Sequence, residues 1–350
     1  AKGLTLKGID VSIFGIPKLE NNFYDDFPSI KISTLNIDDK IFSKPDGAFS
    51  KMIYLKAYPQ LKKFIKQIKP DILHAYYASS NGLIGALSNF HPFAISVWGS
   101  DIFEFPKKSF LHKKTLEFSL SRADKIFSTS TPLAEETKKY TKKAIEVVPF
   151  GIDLKKFSPL KVKNIFPEKD FVIGTIKKLE EIYGIDVLIR AFSLVKEKFP
   201  NLSLKLLIVG KGNQEEELKK LVNDLNLSES TFFSGFIKPE EIPIYHNMLD
   251  IAVFPSLHES FGVAVIEAMA CEKPIIVTNT VGFTQIITHE KTGLIVETNN
   301  INQLADAIVL LIKDEYLRNF LAMEAKKEVH NRFDENKIIE EIIASYYFMI

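Results

Sequence analysis

Short apolar strands alternate with helical segments along the second half of the chain, and this alternation constrains the fold more than any other feature. The strands are four to six residues long, rich in Ile, Val and Leu, and each is followed by a helical pattern. Strands joined through helices run parallel, and a parallel sheet is covered by helices on both faces. Strands are predicted at 171–176, 204–209, 231–234, 251–254 and 274–278, with helices at 185–199, 214–225, 240–246 and near 262–271.

The first half repeats this pattern less regularly. Its opening residues predict the end of a helix and then a strand at 9–14, and the next 30 or so residues look irregular. With 350 residues, 46% of them hydrophobic, the chain has room for two domains, and we place their boundary near residue 165. Further strands are predicted at 71–74, 94–98, 121–130 and 145–149, and helices at 51–69, 78–89, from Thr131 onward, and at 336–347.

Charge divides unevenly between the two halves. Residues 1–165 hold 26 Lys and Arg against 16 Asp and Glu, and the remaining residues hold 19 against 28. A basic surface attracts phosphates or an anionic membrane surface, and no nucleic-acid motif accompanies this charge. Two segments are candidates for facing a membrane: 51–69, with six lysines and no acidic residue, and 103–118, where aromatic residues interleave with lysines. A solvated lysine-rich helix explains the first segment equally well.

Two glutamates flank the start of one predicted helix. Glu259 precedes Gly262 in a polar loop, and Glu267 follows inside the helix, about 7 Å along its axis at about 1.5 Å per residue. The free N–H groups at the start of a helix, with the positive end of its dipole, hold a phosphate without a cationic side chain. The pattern therefore predicts a site for a sugar linked to a diphosphate. Two solvated glutamates at a helix end are the alternative interpretation.

The stretch from Glu259 to Ile276 resembles the signature of the retaining glycosyltransferases of family 4. Both have a glutamate, seven residues, a second glutamate, Ala-Met-Ala, three residues and a proline followed by two β-branched residues. The resemblance implies the α/β fold called GT-B, with two Rossmann-like parallel-sheet domains facing across a cleft. Domain 1–165 would bind the acceptor and domain 166–350 the nucleotide-sugar donor, with the last helix, 335–350, packing back onto the first domain. It also implies an earlier strand and glycine-rich turn, so we expect the N-terminus to be missing.

The resemblance assigns roles to residues around the donor. Glu259 would bind sugar hydroxyls and stabilise the transition state, with a nucleophilic role as the alternative, and Glu267 would accept the ribose hydroxyls. A family arginine that grips the diphosphate corresponds to Lys178, beside Lys177, and a later family lysine is Tyr183 here. Because alternate strand side chains point in opposite directions, we expect only one of the two lysines to reach the phosphate. The other donor-binding residues expected are Gly174, Gly210, Lys211, Phe236, Ile237, Ser256, His258, Ser260, Phe261, Gly262 and Val263.

The acceptor side departs from the family pattern. Trp98 takes the place of a histidine that the family often presents before a Gly-Ser/Thr-Asp turn, which here is Gly99, Ser100 and Asp101. We assign Trp98, Gly99 and Ser100 to acceptor binding, and Asp101 to acceptor binding or proton handling, with a turn-capping aspartate as its equal rival. His74, at the end of a predicted strand, either hydrogen-bonds the acceptor or is a core histidine.

The reaction expected is metal-independent and uses no cofactor, because the chain contains no Asp-any-Asp pair and no His/Cys cluster. The resemblance implies retaining transfer of a sugar from a nucleotide-linked donor, which we expect to be a UDP-sugar, to a glycan or lipid-linked glycan in bacterial polysaccharide or lipopolysaccharide synthesis. The setting would be the cytoplasm or the inner face of its membrane. A sugar-nucleotide epimerase with the same fold is one alternative. A non-catalytic sugar-nucleotide binding subunit is another, because Tyr183 and Trp98 replace family residues.

Overall fold

A computed structural model describes residues 1–15, 24–35 and 55–350, which form two compact units. The first unit combines Ala1–Phe150 with Glu335–Ile350, and the second is Gly151–Asp334. Residues 51–54 of the predicted lysine-rich helix, and much of the stretch predicted to be irregular, lie outside the described residues.

The described strands of the first unit all pair in parallel. Strand β2 falls in the stretch that the sequence predicts to be irregular, and it is a strand because it pairs with β1 through Ser12 opposite Lys31. The longer sheet has the order β3-β4-β5-β6, and β4 is buried along its whole length. The strands are β1 Ser12–Gly15, β2 Lys31–Thr34, β3 Leu73–Tyr76, β4 Phe93–Val97, β5 Lys125–Ser128 and β6 Ile145–Val147.

Helices connect these strands, and local capping explains where two of them begin. The Ser109 and Ser130 hydroxyls accept hydrogen bonds from the N–H groups of His112 and Leu133, each in the first turn of a helix. The sequence places the second cap one residue later, at Thr131. The helices are α1 Lys2–Leu6, α2 Tyr58–Ile68, α3 Asn81–Ser88, α4 Ser100–Phe103, α5 Phe110–Arg122 and α6 Thr131–Thr137.

The second unit contains a six-stranded parallel sheet in the order β12-β11-β10-β7-β8-β9. Of its interior strands, β10 and β11 are buried along their whole length, and β7 and β8 at all but one residue each, as expected for a parallel sheet covered on both faces. The strands are β7 Phe171–Ile176, β8 Leu204–Val209, β9 Thr231–Gly235, β10 Ile251–Phe254, β11 Ile275–Thr278 and β12 Leu294–Val296. The helices are α7 Ile185–Lys198, α8 Glu215–Asp224, α9 Ile242–Asn247, α10 Val263–Ala270, α11 Ile301–Lys313 and α12 Glu315–Arg332.

The structure moves the unit boundary from residue 165 to residue 150. The Ile152 N–H donates to the Phe333 carbonyl over 2.9 Å, and Ile152 forms a β-bridge with Asp334. Farther along, the Leu160 N–H donates to the Asn247 side-chain oxygen over 2.8 Å. These bonds attach residues 151–165 to the second unit through partners that are distant in sequence.

The last helix, α13 Glu335–Tyr347, belongs to the first unit. Ile338 is buried in a cluster with Ala94, Phe127 and Val148, which come from β4, β5 and the turn after β6. The Tyr346 hydroxyl also lies 2.5 Å from the Nδ1 atom of His74 on β3. The chain therefore returns to complete the core of the unit in which it began.

Candidate functional site

The loop before α10 is held in one conformation by two glycines. Gly262 ends the loop with φ 111°, and a Cβ atom there would lie 2.7 Å from the Phe283 ring, so only glycine fits. No side chain caps the start of α10. The Val265 N–H donates to the Gly262 carbonyl over 3.0 Å, and the amides of Val263 and Ala264 before it are oriented to hold an anion. Val263 is the first residue of this helix and is partly exposed.

Gly282 is a second fixed point that the sequence interpretation missed. Its N–H donates to the Glu259 carbonyl over 3.0 Å, and a Cβ atom there would lie 2.6 Å from the Phe261 nitrogen. The sequence could have indicated Gly282, because this residue lies just beyond β11. That position is at the carboxyl edge of the sheet, where ligands of open α/β folds bind. The backbone around Glu259 is therefore set by a glycine from the next strand's turn.

Glu259 pairs with Lys177, which follows the end of β7. The Lys177 ammonium contacts the Oε2 atom of Glu259, and both side chains are 14% exposed. The same ammonium lies 4.7 Å from the centroid of the Tyr183 ring. Burial raises the pKa of Tyr183, with the nearby charges of Glu259 and Glu180 adding to it. The phenol is thus neutral beside an ion pair that is largely removed from water.

Lys178 points the other way. Its side chain is 72% exposed and lies 3.9 Å from Glu180, itself 43% exposed. The alternation of side chains along a strand thus brings Lys177, and not Lys178, to Glu259. An exposed pair at this distance contributes little to stability.

The turn after β8 packs against the backbone at Lys177 and Leu179. A Cβ atom at Gly210 would overlap the Lys177 carbonyl, and one at Gly212 would overlap the Leu179 carbonyl. These glycines therefore allow close approach to the protein's own backbone, which is what fixes the position of Lys177. Lys211, between them, is exposed, and its side chain runs past Gly235 at the end of β9.

Gly174 does not lie at the site. It is buried in the middle of β7, where a Cβ atom would lie 2.5 Å from the Leu207 carbonyl oxygen and 2.6 Å from the Leu249 side chain. Its assignment to donor binding is therefore corrected to a packing role. The sequence predicts the bounds of this strand correctly, 171–176, but the resemblance to the family assigned Gly174 to the donor although it lies inside the strand.

Glu267 projects from α10 toward a buried histidine. Its Oε2 atom lies 3.4 Å from the Nε2 atom of His246, and the two side chains are 19% and 0% exposed. The Nδ1 atom of His246 has no hydrogen-bond partner among the described residues. Beyond β9, Phe236 is 67% exposed, and Ile237 follows it partly buried. The candidate ribose contact, Glu267 on α10, and the donor-binding candidates Phe236 and Ile237 after β9 thus belong to the same unit.

The remaining loop residues divide into anchors and exposed positions. Phe261 is 5% exposed and packs edge-on against Phe333. Ser256 is 1% exposed, and its hydroxyl has no partner among the described residues, while its carbonyl accepts from Thr278 over 2.5 Å. His258 is exposed and Ser260 partly exposed. The loop is therefore anchored on both sides, with its polar side chains between the anchors.

Asp101, in the first unit, is fully buried. Its carboxylate accepts hydrogen bonds from the N–H groups of Ala78, Trp98 and Gly99, over 2.8, 3.2 and 2.8 Å. Burial raises its pKa, and these donors oppose the shift. We correct its assignment from proton handling to fixing the turns after β3 and β4, because both oxygens are occupied by backbone donors.

His74 has both ring nitrogens engaged. Nδ1 lies 2.5 Å from the Tyr346 hydroxyl and Nε2 lies 2.8 Å from Ser96 Oγ. Burial lowers the pKa of His74 to about 3. The imidazole is neutral at ordinary pH and joins β3 to β4 and α13. Among the acceptor candidates, Trp98 remains 40% exposed, and Ser100 follows Gly99 at the start of α4.

No group of three His, Cys, Asp or Glu side chains among the described residues is placed to hold a metal ion. None of the described helices is long and apolar enough to cross a bilayer.

The two parallel α/β units define a GT-B type of architecture, which structural comparison supports. Sucrose-phosphate synthase from Thermosynechococcus elongatus superposes with a TM-score of 0.83 and 20% identity, over 99% of this chain and 90% of that one. Anabaena HepE in complex with UDP-glucose gives a TM-score of 0.71 and 20% identity, over 91% and 86% of the chains.

Sequence comparison supplies the family. The model for glycosyl transferases group 1 matches residues 157–328, and that for glycosyl transferase 4-like proteins matches residues 1–130. The chain belongs to the group 1 glycosyltransferases of the family 4 type. N-acetyl-alpha-D-glucosaminyl L-malate synthase from Bacillus anthracis is 27% identical over 296 residues, covering 79% of this chain and 74% of that protein. Several other curated relatives match over only about half of their length.

Proposed function

We propose that this chain is a retaining, metal-independent transferase that moves a sugar from a UDP-linked donor to a glycan or lipid-linked glycan. The observation that carries the proposal is the Lys177–Glu259 ion pair beside the uncapped start of α10. It joins a cation, an anion-binding helix end and a carboxylate, the three groups that a sugar diphosphate requires. The UDP-glucose bound to the Anabaena neighbour is consistent with this donor class.

In this reaction, negative charge grows on the leaving diphosphate. The first-turn amides of α10 and the Lys177 ammonium stabilise that charge, while Glu259 accepts hydrogen bonds from sugar hydroxyls and stabilises the positive charge on the sugar ring. The bond between the anomeric carbon and the diphosphate oxygen breaks. A new bond forms to the acceptor oxygen on the same face, and the acceptor's proton passes to the leaving phosphate. No enzyme carboxylate becomes covalently attached in this scheme.

We assign the nucleoside end of the donor to a residue on α10 and to the residues that follow β9. Glu267 accepts the ribose hydroxyl protons, and the main chain at Phe236 and Ile237 pairs with the base. The two contacts lie at α10 and after β9 of the same unit. Polysaccharide or lipopolysaccharide synthesis in a bacterial cytoplasm is the setting that fits this chemistry.

The test of the proposal is Glu259→Ala, compared with Glu272→Ala. Glu272 pairs with Lys326 over 2.7 Å in the same unit but outside the site, so it controls for the loss of an ion pair. We expect Glu259→Ala to lower sugar transfer at least about 100-fold, the scale of removing one transition-state contact, with UDP affinity nearly unchanged. Transfer at the wild-type rate by this variant would end the proposal. Donor turnover without any acceptor would favour an epimerase, and UDP binding without turnover a non-catalytic subunit.

We also propose that the basic first unit contacts an anionic membrane surface. Helix α2 borders an open cavity of about 490 Å³ lined by Lys62, Lys63 and Lys66 with Ile65, Ser88 and Phe90, and no acidic side chain lines it. A membrane surface contributes about 1 kcal/mol per nearby lysine. Replacing all three lysines by glutamine should therefore weaken binding to phosphatidylglycerol-containing vesicles by on the order of 100-fold.

The matched control for this vesicle experiment is Lys138→Gln with Lys139→Gln. These lysines pair with Glu135 and Glu136 over 2.6 Å each, so their charge is already compensated. Co-sedimentation should then stay at the wild-type level. Equal sedimentation with pure phosphatidylcholine and with phosphatidylglycerol-containing vesicles would refute the membrane contact.

A further inference from the structure

Four aromatic rings form a continuous row near the carboxyl edge of the β3-β4-β5-β6 sheet. The ring centroids of His74 and Tyr76 are 4.4 Å apart, those of Tyr76 and Trp98 5.4 Å, and those of Trp98 and Phe150 5.6 Å. Tyr76 and Trp98 are 37% and 40% exposed. We call these two residues the aromatic platform. They expose apolar surface to solvent, although side chains of this size are usually largely buried.

The platform is built on a braced pair of turns. Tyr77, beside Tyr76, has φ 81°, a strained value for a residue with a side chain, and its hydroxyl bonds to Ser100 Oγ. The Asp101 carboxylate ties the turn after β3 to the turn after β4, through Ala78 and the Trp98 N–H. Hydrogen bonds within the chain therefore brace the backbone that carries the two rings, which favours binding.

The carboxyl edge of this sheet carries mainly aromatic side chains and hydroxyl groups. The residues that end or follow the four strands, at 76–80, 98–101, 128–131 and 148–150, include no Lys and no Arg. Asp101 is the single carboxylate among them, and it is buried and bonded to backbone. Ser and Thr hydroxyls are frequent there, and the buried Thr129 hydroxyl has no partner among the described residues.

We infer that the aromatic platform binds the acceptor through an uncharged sugar ring that stacks on Trp98 and contacts Tyr76, whose ring is tilted 45° to that of Trp98. One face of a pyranose presents C–H groups, which suit the negative face of an aromatic ring, and its hydroxyls suit Ser and Thr side chains. A small anionic acceptor, such as a hydroxy acid or a sugar phosphate, would meet those negative ring faces without a cation from this edge. The inference rests on the proposed transferase function and specifies its acceptor class.

The chain supplies its own reporter for the test, because Trp98 is its one tryptophan. We would titrate the full chain, saturated with UDP, with methyl pyranosides of glucose, galactose, mannose and N-acetylglucosamine, and separately with L-malate and inositol phosphate, up to tens of millimolar. We expect at least one neutral pyranoside to change Trp98 fluorescence saturably and to protect it from acrylamide quenching. We expect neither response from the two anions.

Variants separate stacking from a general change in the fold. Tyr76→Leu should weaken the pyranoside response about tenfold, the scale of losing one buried aromatic contact, whereas Tyr316→Leu, at an 82% exposed tyrosine, should not change it. Trp98→Phe should retain pyranoside binding by calorimetry and Trp98→Ala should lose it, with thermal unfolding checked for each.

Two outcomes would overturn the inference: a saturable Trp98 response to the anions with none to the pyranosides, or no response to any compound. UDP binding is measured in parallel by calorimetry. A chain that binds UDP but fails the acceptor titration refutes the platform alone, while a chain that binds no UDP refutes the transferase proposal.

Discussion

The ammonium nitrogen of Lys177 lies 4.7 Å from the centroid of the Tyr183 ring. The family pattern has a lysine at the position of Tyr183. This chain therefore lacks that second cation, and has in its place an aromatic ring that contacts the Lys177 ammonium. That surface also helps keep water from the Lys177–Glu259 pair, since each charged side chain is only 14% exposed. The departure from the family pattern therefore changes how the cation is held without removing it.

Substitution of Tyr183 should separate the ring from its hydroxyl. Tyr183→Phe keeps the ring and should bind UDP like the wild type, whereas Tyr183→Leu should bind it about 2- to 30-fold more weakly, since a cation–π contact contributes about 0.5–2 kcal/mol. Calorimetry with UDP measures both, and Tyr316→Leu serves as the exposed control. A phenylalanine variant as weak as the leucine variant would assign the effect to the hydroxyl instead.

The two neighbouring lysines should differ sharply in their contribution to donor binding. Lys177→Met should lower UDP affinity at least about tenfold, because a charge-assisted hydrogen bond to phosphate contributes about 1.5–3 kcal/mol. Lys178→Met is the matched control, since that side chain is 72% exposed and should matter little. Calorimetry at low and high salt measures both constants. Equal losses from the two substitutions would show that the free protein's ion pair does not identify the phosphate ligand.

Much of the fold follows from local pattern, but the choices that build the site do not. The strands of the second unit are predicted because each is a short, largely apolar run, yet the boundary at residue 150 depends on the β-bridge between Ile152 and Asp334, which are far apart in sequence. Alternation along a strand predicts that Lys177 and Lys178 diverge. Which of them faces Glu259 is set by the turns at Gly210 and Gly282, and no local pattern encodes that contact.

The same limit applies to Asp101 and Gly174. An aspartate after a strand predicts either a ligand contact or a turn cap, and only the three backbone donors converging on Asp101 decide between them. Gly174 lies inside a strand that the sequence predicts correctly, but only the fold shows the Leu207 carbonyl and the Leu249 side chain packed against it. The residue type at both positions is known from the sequence. The direction of the Asp101 side chain and the packing around Gly174 are known only from the fold.

Gly262→Ala should destabilise the second unit and abolish transfer. The new methyl group would meet the Phe283 ring at 2.7 Å, at a backbone φ of 111°, and strain of this kind costs about 1–3 kcal/mol. Gly8→Ala is the control for backbone strain alone, since it has φ 83° with open space around the new carbon. Thermal unfolding with a transfer assay reports both properties. A Gly262→Ala protein with wild-type melting and turnover would mean that the start of α10 tolerates displacement.

The pH dependence of stability in the first unit should report His74. Burial lowers its pKa from 6.5 to about 3, so between these values the unfolded chain binds a proton that the folded chain does not. Stability is therefore complete above about pH 6.5 and falls as the pH decreases, by up to about 1.4 kcal/mol per pH unit. His74→Gln removes this term and should flatten the profile between pH 5 and about 6.5. Urea unfolding followed by the fluorescence of Trp98, which lies in the same unit, measures the slope.

His289→Gln, a 52% exposed histidine of the second unit, should leave that slope unchanged. Parallel profiles for the wild type and His74→Gln would show that His74 is protonated in the folded chain, and that its bonds to Tyr346 and Ser96 do not depend on a neutral ring.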